Sequence, residues 1–472
     1  MELERIRREI DAIDDELTKL FIKRMNLSDH AAKYKKENNL PVLNAEREQE
    51  ILSRAAQKAG PELSSYSEDF FNGLLAVSRL YQRGRMNKFG LAGADLSYSY
   101  SKTIHEMFGD YNYELFSLNA EEFETLMNSR DFDGLNITVP YKRAVIPFCD
   151  ELDDTAAEIG AVNTVYKKNG RLIGANTDHY GFLYTLDVSG ISLNGKKVLI
   201  LGAGGVSLAI QKCARDKGAS EITVAGRNHD YSSEKDAEII INATPVGSGL
   251  IIDPADFPDC SGVIDVVYNP LHTDLLLRAK ELGMAYSNGI PMLVAQAAAA
   301  GYLFTGVNYS HKIGEVTDKL TAAVQNIVLI GMPGAGKTVL GRKLAHILDK
   351  DFVDLDEAVS AEAGMSVGDI FEKFGEEHFR DMETAAAAEF GKRRGIVIAT
   401  GGGCVLRREN MDALCRNGVV IYLDKPLELL DTKGRPLSRD VETLKKMYNE
   451  RRPLYERYGD HLWRDQCMKR QK

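Results

Sequence analysis

A chain of 472 residues is too long for one hydrophobic core, since domains usually run ~100–200 residues, so two to four units are expected and three is the natural division. Its 44% hydrophobic and 27% charged residues are those of folded domains and argue against intrinsic disorder. A net charge of -10 and a pI near 5.6 argue against a broad basic nucleic-acid face, so anionic ligands must be held by local basic clusters.

Residues 1–87 read as three amphipathic helices. Leu3, Ile6, Ile10, Ile13, Leu17 and Leu20 recur at three- and four-residue steps and give one apolar stripe on a long first helix. Pro41 interrupts the pattern, Arg47 to Lys58 resumes it, Gly60-Pro61 breaks it again, and Phe70 to Arg83 makes a third helix. Arg24 and Lys35 lie three turns apart on one face, and Ser78 and Gln82 one turn apart, so polar groups can converge on a pocket. Basic and acidic residues are balanced here, and a charged helical dimerisation module is the alternative reading of this spacing.

The region resembles the small helical chorismate mutases at Arg7, Arg24, Lys35, Arg47, Glu48, Ser78 and Gln82. That resemblance implies arginines gripping the two carboxylates of chorismate, with Lys35 and Gln82 on the ether oxygen. The rearrangement is pericyclic, so such a site needs only to hold a compact conformer and stabilise developing charge. Asn44 stands where the family commonly carries aspartate. A unit this small buries little core alone, and the family interlocks two chains, so a homodimer through these helices is expected.

From Lys88 onward, short apolar runs ending in glycine alternate with helical stretches, predicting βαβ units and a parallel sheet. The fold class expected is therefore multidomain, an all-α three-helix region followed by two α/β regions, divided near residues 87 and 325. In the first α/β region, Lys197-Val-Leu-Ile-Leu201 runs into Gly202-Ala-Gly204-Gly205, a strand and glycine loop suited to a dinucleotide. Four segments resemble shikimate dehydrogenase: Ser99-Tyr-Ser101-Lys-x-Ile-His105, Asn136-Ile-Thr138-Val-Pro-Tyr-Lys142, Ala161-Val-Asn163-Thr and Asn176-Thr-Asp178.

The resemblance implies that Ser99 and Ser101 hold a substrate carboxylate, and that Lys142 with Asp178 exchanges a proton with the ring oxygen as hydride leaves carbon. Asn136, Thr138 and Asn163 would touch ring hydroxyls, and Gln296 would close the site. Arg227 stands where the family places its 2′-phosphate-binding arginine, so NADP is the expected cofactor. Two departures stand out: Gly226 replaces a usual asparagine, and Glu238-Ile-Ile-Ile-Asn-Ala-Thr-Pro245 follows too soon for the helix and strand the family inserts there.

Ile327-Val-Leu-Ile330 leads into Gly331-Met-Pro-Gly334-Ala335-Gly336-Lys337-Thr338, a full P-loop in its strand-to-helix context. It calls for ATP, with backbone N–H groups on phosphate, Lys337 on the terminal phosphates and the Thr338 hydroxyl on Mg2+. Asp354 and Asp356 follow at the next strand end, for metal and acceptor. Residues 326–465 then resemble shikimate kinase through Gly375-Glu-x-x-Phe-Arg380-x-x-Glu383, Thr400-Gly401-Gly402-Gly403, Arg435-Pro-Leu437 and Arg451-x-Pro-Leu-Tyr455. This implies Arg380 and Arg451 on the shikimate carboxylate, a suitable task for planar guanidinium forks, Asp356 and the three glycines on its ring, and Arg435 on the moving phosphoryl group. The lid around Arg435 is shorter than the family's and lacks arginines that often stack on adenine.

Six scattered cysteines fit neither a zinc site nor a disulfide framework. The charged N-terminus MELERIRREI and the absence of long uncharged apolar runs predict a cytoplasmic enzyme with small-molecule substrates and neither nucleic acid nor membrane as partner. Three enzymes in one chain is the leading expectation. The alternative keeps the kinase fully active, with the helices as an assembly module and the middle region as a shikimate-binding platform.

Overall fold

Apolar residues at helical spacing and a proline-marked break put the first residues on α1 (Glu2–Glu37), α2 (Ala45–Ala59) and α3 (Ser64–Met86). The structure is a computed structural model describing residues 2–38, 40–109, 111–226, 229, 231–430 and 441–464. It divides into two compact units, Met1–Thr177 with Ala297–Ser310, and Asp178–Gln296 with His311–Lys472.

In the first unit, α1 and α3 close on Met25, Ser28, Ala32, Leu75, Ser78 and Gln82, all buried. The N-terminal half of α1 behaves differently: Leu3, Ile6, Ile10, Ile13, Leu17 and Leu20 are 44% to 63% exposed. Asn44 caps α2, its side chain accepting from the Arg47 N–H at 2.9 Å. Asparagine and aspartate cap equally well, so the substitution seen in the sequence is neutral for the helix.

The same unit continues through β1 (Phe89–Gly93), α4 (Ser101–Phe108), β2 (Tyr113–Ser117), α5 (Ala120–Ser129), β3 (Gly134–Ile137), β4 (Glu151–Leu152), α6 (Asp154–Ile159), β5 (Thr164–Lys168) and β6 (Arg171–Ala175). Sheet order is β2-β1-β3-β5-β6-β4. The parallel sheet expected from sequence holds for β2-β1-β3, but β5 runs antiparallel to both β3 and β6. The β5–β6 pairing follows from the two-residue turn Asn169-Gly170, both with positive φ (53° and 77°), which folds the chain straight back. Residues 297–305 return to this unit and stack Phe304 on Phe89, centroids 4.9 Å apart. Gly134 permits this, since a Cβ there would lie 2.5 Å from the Phe304 ring.

The second unit opens with α7 (Asp178–Ser189), β7 (Lys197–Leu201), α8 (Gly205–Asp216), β8 (Glu221–Ala225), β9 (Ile239–Asn242), β10 (Gly262–Asp265), α9 (Asp274–Glu281), β11 (Ala285–Ser287) and the first part of α10 (Ile290–Thr305). The strands are parallel, in order β11-β10-β9-β7-β8. Among the described residues this is a doubly wound sheet that stops at β8, with one short 3-10 turn, Tyr231–Glu234, between β8 and β9. The central strands β7, β9 and β10 are almost entirely buried, as strands covered on both faces must be.

The unit ends with α11 (Ile313–Val324), β12 (Asn326–Ile330), α12 (Lys337–Leu348), β13 (Asp351–Asp354), α13 (Leu355–Ala363), α14 (Val367–Gly391), β14 (Ile396–Ala399), α15 (Arg408–Cys415), β15 (Gly418–Leu423), α16 (Val441–Tyr458) and β16 (His461–Trp463). Its parallel sheet runs β13-β14-β12-β15-β16, with β12 at the centre feeding the P-loop. Val328, Ile330, Ile398, Val420 and Tyr455 anchor the core beneath it. Among the described residues, no helix is long and apolar enough to cross a membrane.

Candidate active sites

The P-loop lies at the carboxyl end of β12, where this class of fold binds ligands. Gly331 has φ 144°, and a Cβ there would come within 2.7 Å of the Leu423 carbonyl, so this turn demands glycine. Lys337 Nζ reaches back over the loop to the carbonyls of Gly331 (2.7 Å) and Met332 (3.0 Å). Thr338 Oγ1 donates to Asp354 Oδ2 at 2.6 Å, bringing a hydroxyl and a carboxylate together at the start of α12. Gly334 and Gly336 supply the positive φ the loop needs, and Gly336 precedes α12 with no side-chain cap, leaving its first N–H groups available to phosphate. These features fit a nucleoside triphosphate, and the Thr338–Asp354 oxygen pair fits Mg2+, a hard cation that takes oxygen ligands.

A cavity of about 530 Å³ opens beside the loop, lined by Lys337, Thr338, Asp354, Asp356, Arg380, Glu383, Gly401, Gly402, Gly403 and Arg451 among others. The glycine run is a steric requirement. A Cβ on Gly403 would meet the Arg380 guanidinium at 2.3 Å, and one on Gly401 would meet Glu383 Oε1 at 2.5 Å and Asp356 Oδ1 at 2.6 Å. Arg380 Nη1 donates to the buried Glu383 Oε2 at 2.7 Å. Burial works against the charge of both partners. Glu383 outweighs it for Arg380, whose pKa lies above the usual value, whereas burial still pushes the Glu383 carboxyl up. Arg451 is buried, and its Nε has no hydrogen-bond partner among the described residues. Two guanidinium groups, Arg380 and Arg451, lining one cavity suit an anionic ligand. Glu383 and Tyr455, whose hydroxyl donates to the Gly402 carbonyl, belong to this site beyond the residues assigned from sequence. Arg435 lies outside the described residues.

In the first unit, Thr138 follows β3 and Asn163 precedes β5, the Thr138 N–H donating to the Ala92 carbonyl of β1 at 3.0 Å and the Ile137 N–H to the Asn163 carbonyl at 2.7 Å. Ser101 opens α4, its N–H bonded to Ser99 Oγ at 3.2 Å. Lys142 follows the turn after β3, and its carbonyl accepts from Val162 N–H at 2.8 Å, which sets it next to Asn163. Asn163 Oδ1 accepts from the Thr177 N–H at 2.7 Å and from Thr164 Oγ1 at 3.0 Å, so the orientation of its amide is fixed by a backbone donor. Asn136 departs from the sequence reading: it is buried, its Oδ1 accepting from the Tyr113 hydroxyl at 2.7 Å and its Nδ2 donating to Thr164 Oγ1 at 3.0 Å. It supports Asn163 through Thr164.

Asp178, the residue after Thr177, opens α7 in the second unit. Gly181 on the same helix lies against α10, where a Cβ would come within 2.6 Å of the Met292 carbonyl and 3.0 Å of Gln296 Cβ, so Asp178 and Gln296 share one helix pair. In the glycine loop after β7, Gly202 has φ 104° and a Cβ there would meet the Ala243 backbone at 3.1 Å, while α8 starts at Gly204 and Gly205 without a side-chain cap. That cradle fits a dinucleotide pyrophosphate. Arg227 lies outside the described residues.

Among the helices, Lys35 Nζ donates to Gln82 Oε1 at 3.2 Å and to the Val42 carbonyl at 2.6 Å, and Gln82 Nε2 donates to Ser78 Oγ at 3.3 Å. Glu48 lies with them: it pairs with Arg79 of α3, a residue the sequence reading missed, and burial lowers the pKa values of Arg24 and Lys35 by more than the charge of Glu48 raises them. Arg24 Nη1 is buried with no hydrogen-bond partner among the described residues. Arg7 and Arg47 are not brought to this cluster; each is exposed and pairs along its own helix, with Glu4 at 2.9 Å and Glu50 at 2.7 Å.

Comparison with known proteins follows the same division. Family profiles match for chorismate mutase type II over residues 6–83, the shikimate dehydrogenase substrate-binding domain over 91–165, and shikimate kinase over 333–471. A shikimate dehydrogenase (NADP(+)) from Bacillus cereus is 36% identical over 255 residues, covering 46% of this chain and 92% of that protein. One from Methanosphaera stadtmanae is 32% identical over 263 residues, covering 47% and 93%. The first alignment runs over 255 positions while using 46% of a 472-residue chain, so the relative carries residues that this chain lacks. A solved chorismate mutase/shikimate 5-dehydrogenase fusion protein from Clostridium acetobutylicum is 30% identical, covering 50% of this chain and 97% of that one, with a TM-score of 0.46.

Proposed function

The chain belongs to the shikimate dehydrogenase family and carries chorismate mutase and shikimate kinase domains as well, and from that premise we propose that it catalyses three reactions of aromatic amino-acid biosynthesis. Chorismate rearranges to prephenate on the helices of residues 1–87. Residues 88–325 reduce 3-dehydroshikimate to shikimate with NADPH, and residues 326–472 transfer the γ-phosphoryl group of ATP to shikimate, giving shikimate 3-phosphate and ADP.

The observation that carries the reading is the P-loop cavity, which Arg380 and Arg451 line together with Lys337 and Asp356. In it Arg380 and Arg451 hold the carboxylate, Asp356 takes the proton of the attacking ring hydroxyl, Lys337 and Arg435 stabilise charge on the moving phosphoryl group, and Gly401 to Gly403 shape the ring pocket. Thr338 and Asp354 would hold Mg2+, which supplies charge neutralisation between the phosphates. In the dehydrogenase, Ser99 and Ser101 bind the carboxylate, Thr138, Asn163 and Gln296 the ring, and Lys142 with Asp178 moves the proton at the ring oxygen. Gly202, Gly204 and Gly205 would hold NADP, with Arg227 for its 2′-phosphate, and the bound cofactor would supply the hydride chemistry.

In the mutase, Arg24 holds a carboxylate, Lys35 and Gln82 meet the ether oxygen, and Glu48 and Ser78 orient them. Arg7 lies 28 residues before Lys35 on one straight helix, a rise of about 42 Å, so it serves the pocket of a second chain. The exposed stripe from Leu3 to Leu20 supports the same homodimer. Its small-molecule substrates and free cysteines suit a cytoplasmic enzyme.

A second reading rests on the sheet that stops at β8: without the following helix and strand, the adenosine side of the cofactor site loses a wall, and the middle region would bind shikimate without oxidising it. Shikimate-dependent NADP+ reduction by the full chain, with phosphorylation assayed alongside, separates the two. Both activities together support the trifunctional enzyme. Phosphorylation without reduction leaves the middle region a binding platform.

A further inference from the structure

The cofactor half of the dehydrogenase and the kinase meet along a seam that neither reaction uses. The Leu271 N–H donates to Asn417 Oδ1 at 3.1 Å, and the His272 N–H donates to the Arg416 carbonyl at 2.8 Å. Arg416 in turn grips Asp274 at two points, Nε at 2.8 Å and Nη2 at 2.9 Å. Glu281, at the end of α9, receives Arg408 at 3.1 Å and Arg457 at 3.3 Å, while Lys280 pairs with Asp460. Leu271, Thr273 and Asn417 are buried.

Two features make this more than a chance touch between domains. The first is that backbone N–H groups in a buried loop must find partners, and those of Leu271 and His272 find theirs in the kinase. Undocking would strand them together with the Asn417 amide. The second is where the seam leads. Asn417 also donates to the Gly391 carbonyl at 3.1 Å, and its own carbonyl accepts from Asn326, the first residue of the P-loop strand, at 2.8 Å. On the other side, Thr273 Oγ1 donates to Asp265 at 2.6 Å, Asp265 accepts from Asn242 at 3.0 Å, and Asn242 fixes Thr244 at 2.7 Å, beside the Ala243 backbone that walls Gly202. Hydrogen bonds and chain neighbours thus run from the Gly202 loop across the seam to the amino end of the P-loop strand at Asn326.

We propose that this seam is a permanent docking surface that makes the kinase a structural part of the dehydrogenase's cofactor half, so that the two unfold as one body and a nucleotide on the kinase loop stabilises both. The ligand clause rests on the nucleotide reading of the P-loop; the docking clause does not. The single tryptophan, Trp463, lies on β16 of the kinase and reports its unfolding by fluorescence. Hydrogen exchange of residues 239–265 reports the dehydrogenase side.

The experiment follows both signals through thermal unfolding of the full chain, with and without ADP, in wild type, Asp274→Arg, Arg416→Asp and the double swap. One coincident transition is expected in the wild type, raised on both signals by on the order of 5 °C at about a hundredfold excess of ADP over its Kd. Each single reversal should split the transition, with ADP moving only the Trp463 signal, and the double swap should rejoin them. Separate wild-type transitions, or reversals that leave a single transition intact, would overturn the proposal. If ADP moves neither signal, the nucleotide reading fails with the ligand clause, and coincidence of the two ligand-free transitions still decides the docking clause.

Discussion

Thr338 Oγ1 donates a 2.6 Å hydrogen bond to Asp354 Oδ2, tying the first turn of α12 to the end of β13. The same carboxylate caps α13, accepting from the N–H groups of Asp356 at 3.0 Å and Glu357 at 3.4 Å. Asparagine caps as well as aspartate, so Asp354→Asn should fold normally while removing the negative charge a divalent cation needs. The expected result is a loss of shikimate phosphorylation of about 100-fold or more, with a raised Mg2+ requirement. Steady-state kinetics over a magnesium titration measures it, and an unchanged rate at low Mg2+ would take Asp354 out of the metal site.

Lys142 lies on a turn in the first unit, in a different unit from the P-loop site. Lys142→Ala should therefore lower shikimate oxidation by about 100-fold to 10,000-fold, the range for losing a proton-transfer group, and leave phosphorylation intact. Equal losses in both assays would contradict separate sites.

The P-loop and the helices were legible in the sequence because their signals are local: a strand, glycines at fixed spacing and a lysine in one segment, or apolar residues on one helical face. The exposed half of α1 shows the limit of that signal, since the stripe announces burial without saying against what. The turn that pairs β5 antiparallel to β6 is written in Asn169-Gly170, but βαβ alternation elsewhere points to a parallel sheet. Nothing local marks Arg79 as the partner of Glu48, or Arg416 as the partner of Asp274, 142 residues away. Such pairs depend on how elements pack. Asn136 was read as a substrate contact because it sits in the same segment as Thr138, and only the fold reveals Tyr113 and Thr164 taking both ends of its amide.

His105 is fully buried, stacked on Tyr113 at 3.9 Å with Nδ1 2.6 Å from the Tyr111 hydroxyl, and burial holds its pKa down at about 3 against the ordinary 6.5. A depressed folded value means the unfolded chain takes up a proton that the folded chain refuses. The stability tied to this residue is thus fully present above pH 6.5 and drains away as pH falls toward 3, by up to about 5 kcal/mol. His105→Phe, which can keep the stack, should flatten that stretch of the denaturation profile of the substrate half. Urea midpoints between pH 7 and pH 4 test this; a variant with the same pH slope as wild type would assign the acid sensitivity elsewhere.

Arg7 and Lys35 stand about 42 Å apart along α1, yet both match mutase positions. If Arg7 completes the pocket of a second chain, Arg7→Ala and Lys35→Ala should each be inactive toward chorismate while remaining dimeric. Mixed and allowed to exchange subunits, the two variants should regain activity, because in each heterodimer one pocket draws an intact Arg7 and an intact Lys35 from the same wild-type-like pair of positions while the other pocket carries both lesions. Random exchange makes half the dimers mixed, so about one quarter of all pockets should be restored. Ile13→Asp on the exposed stripe should abolish both the dimer and the recovery. Loss of chorismate absorbance, read beside the mass in solution, gives the result, and no recovery on mixing freely exchanging dimers would mean that each pocket is built from one chain.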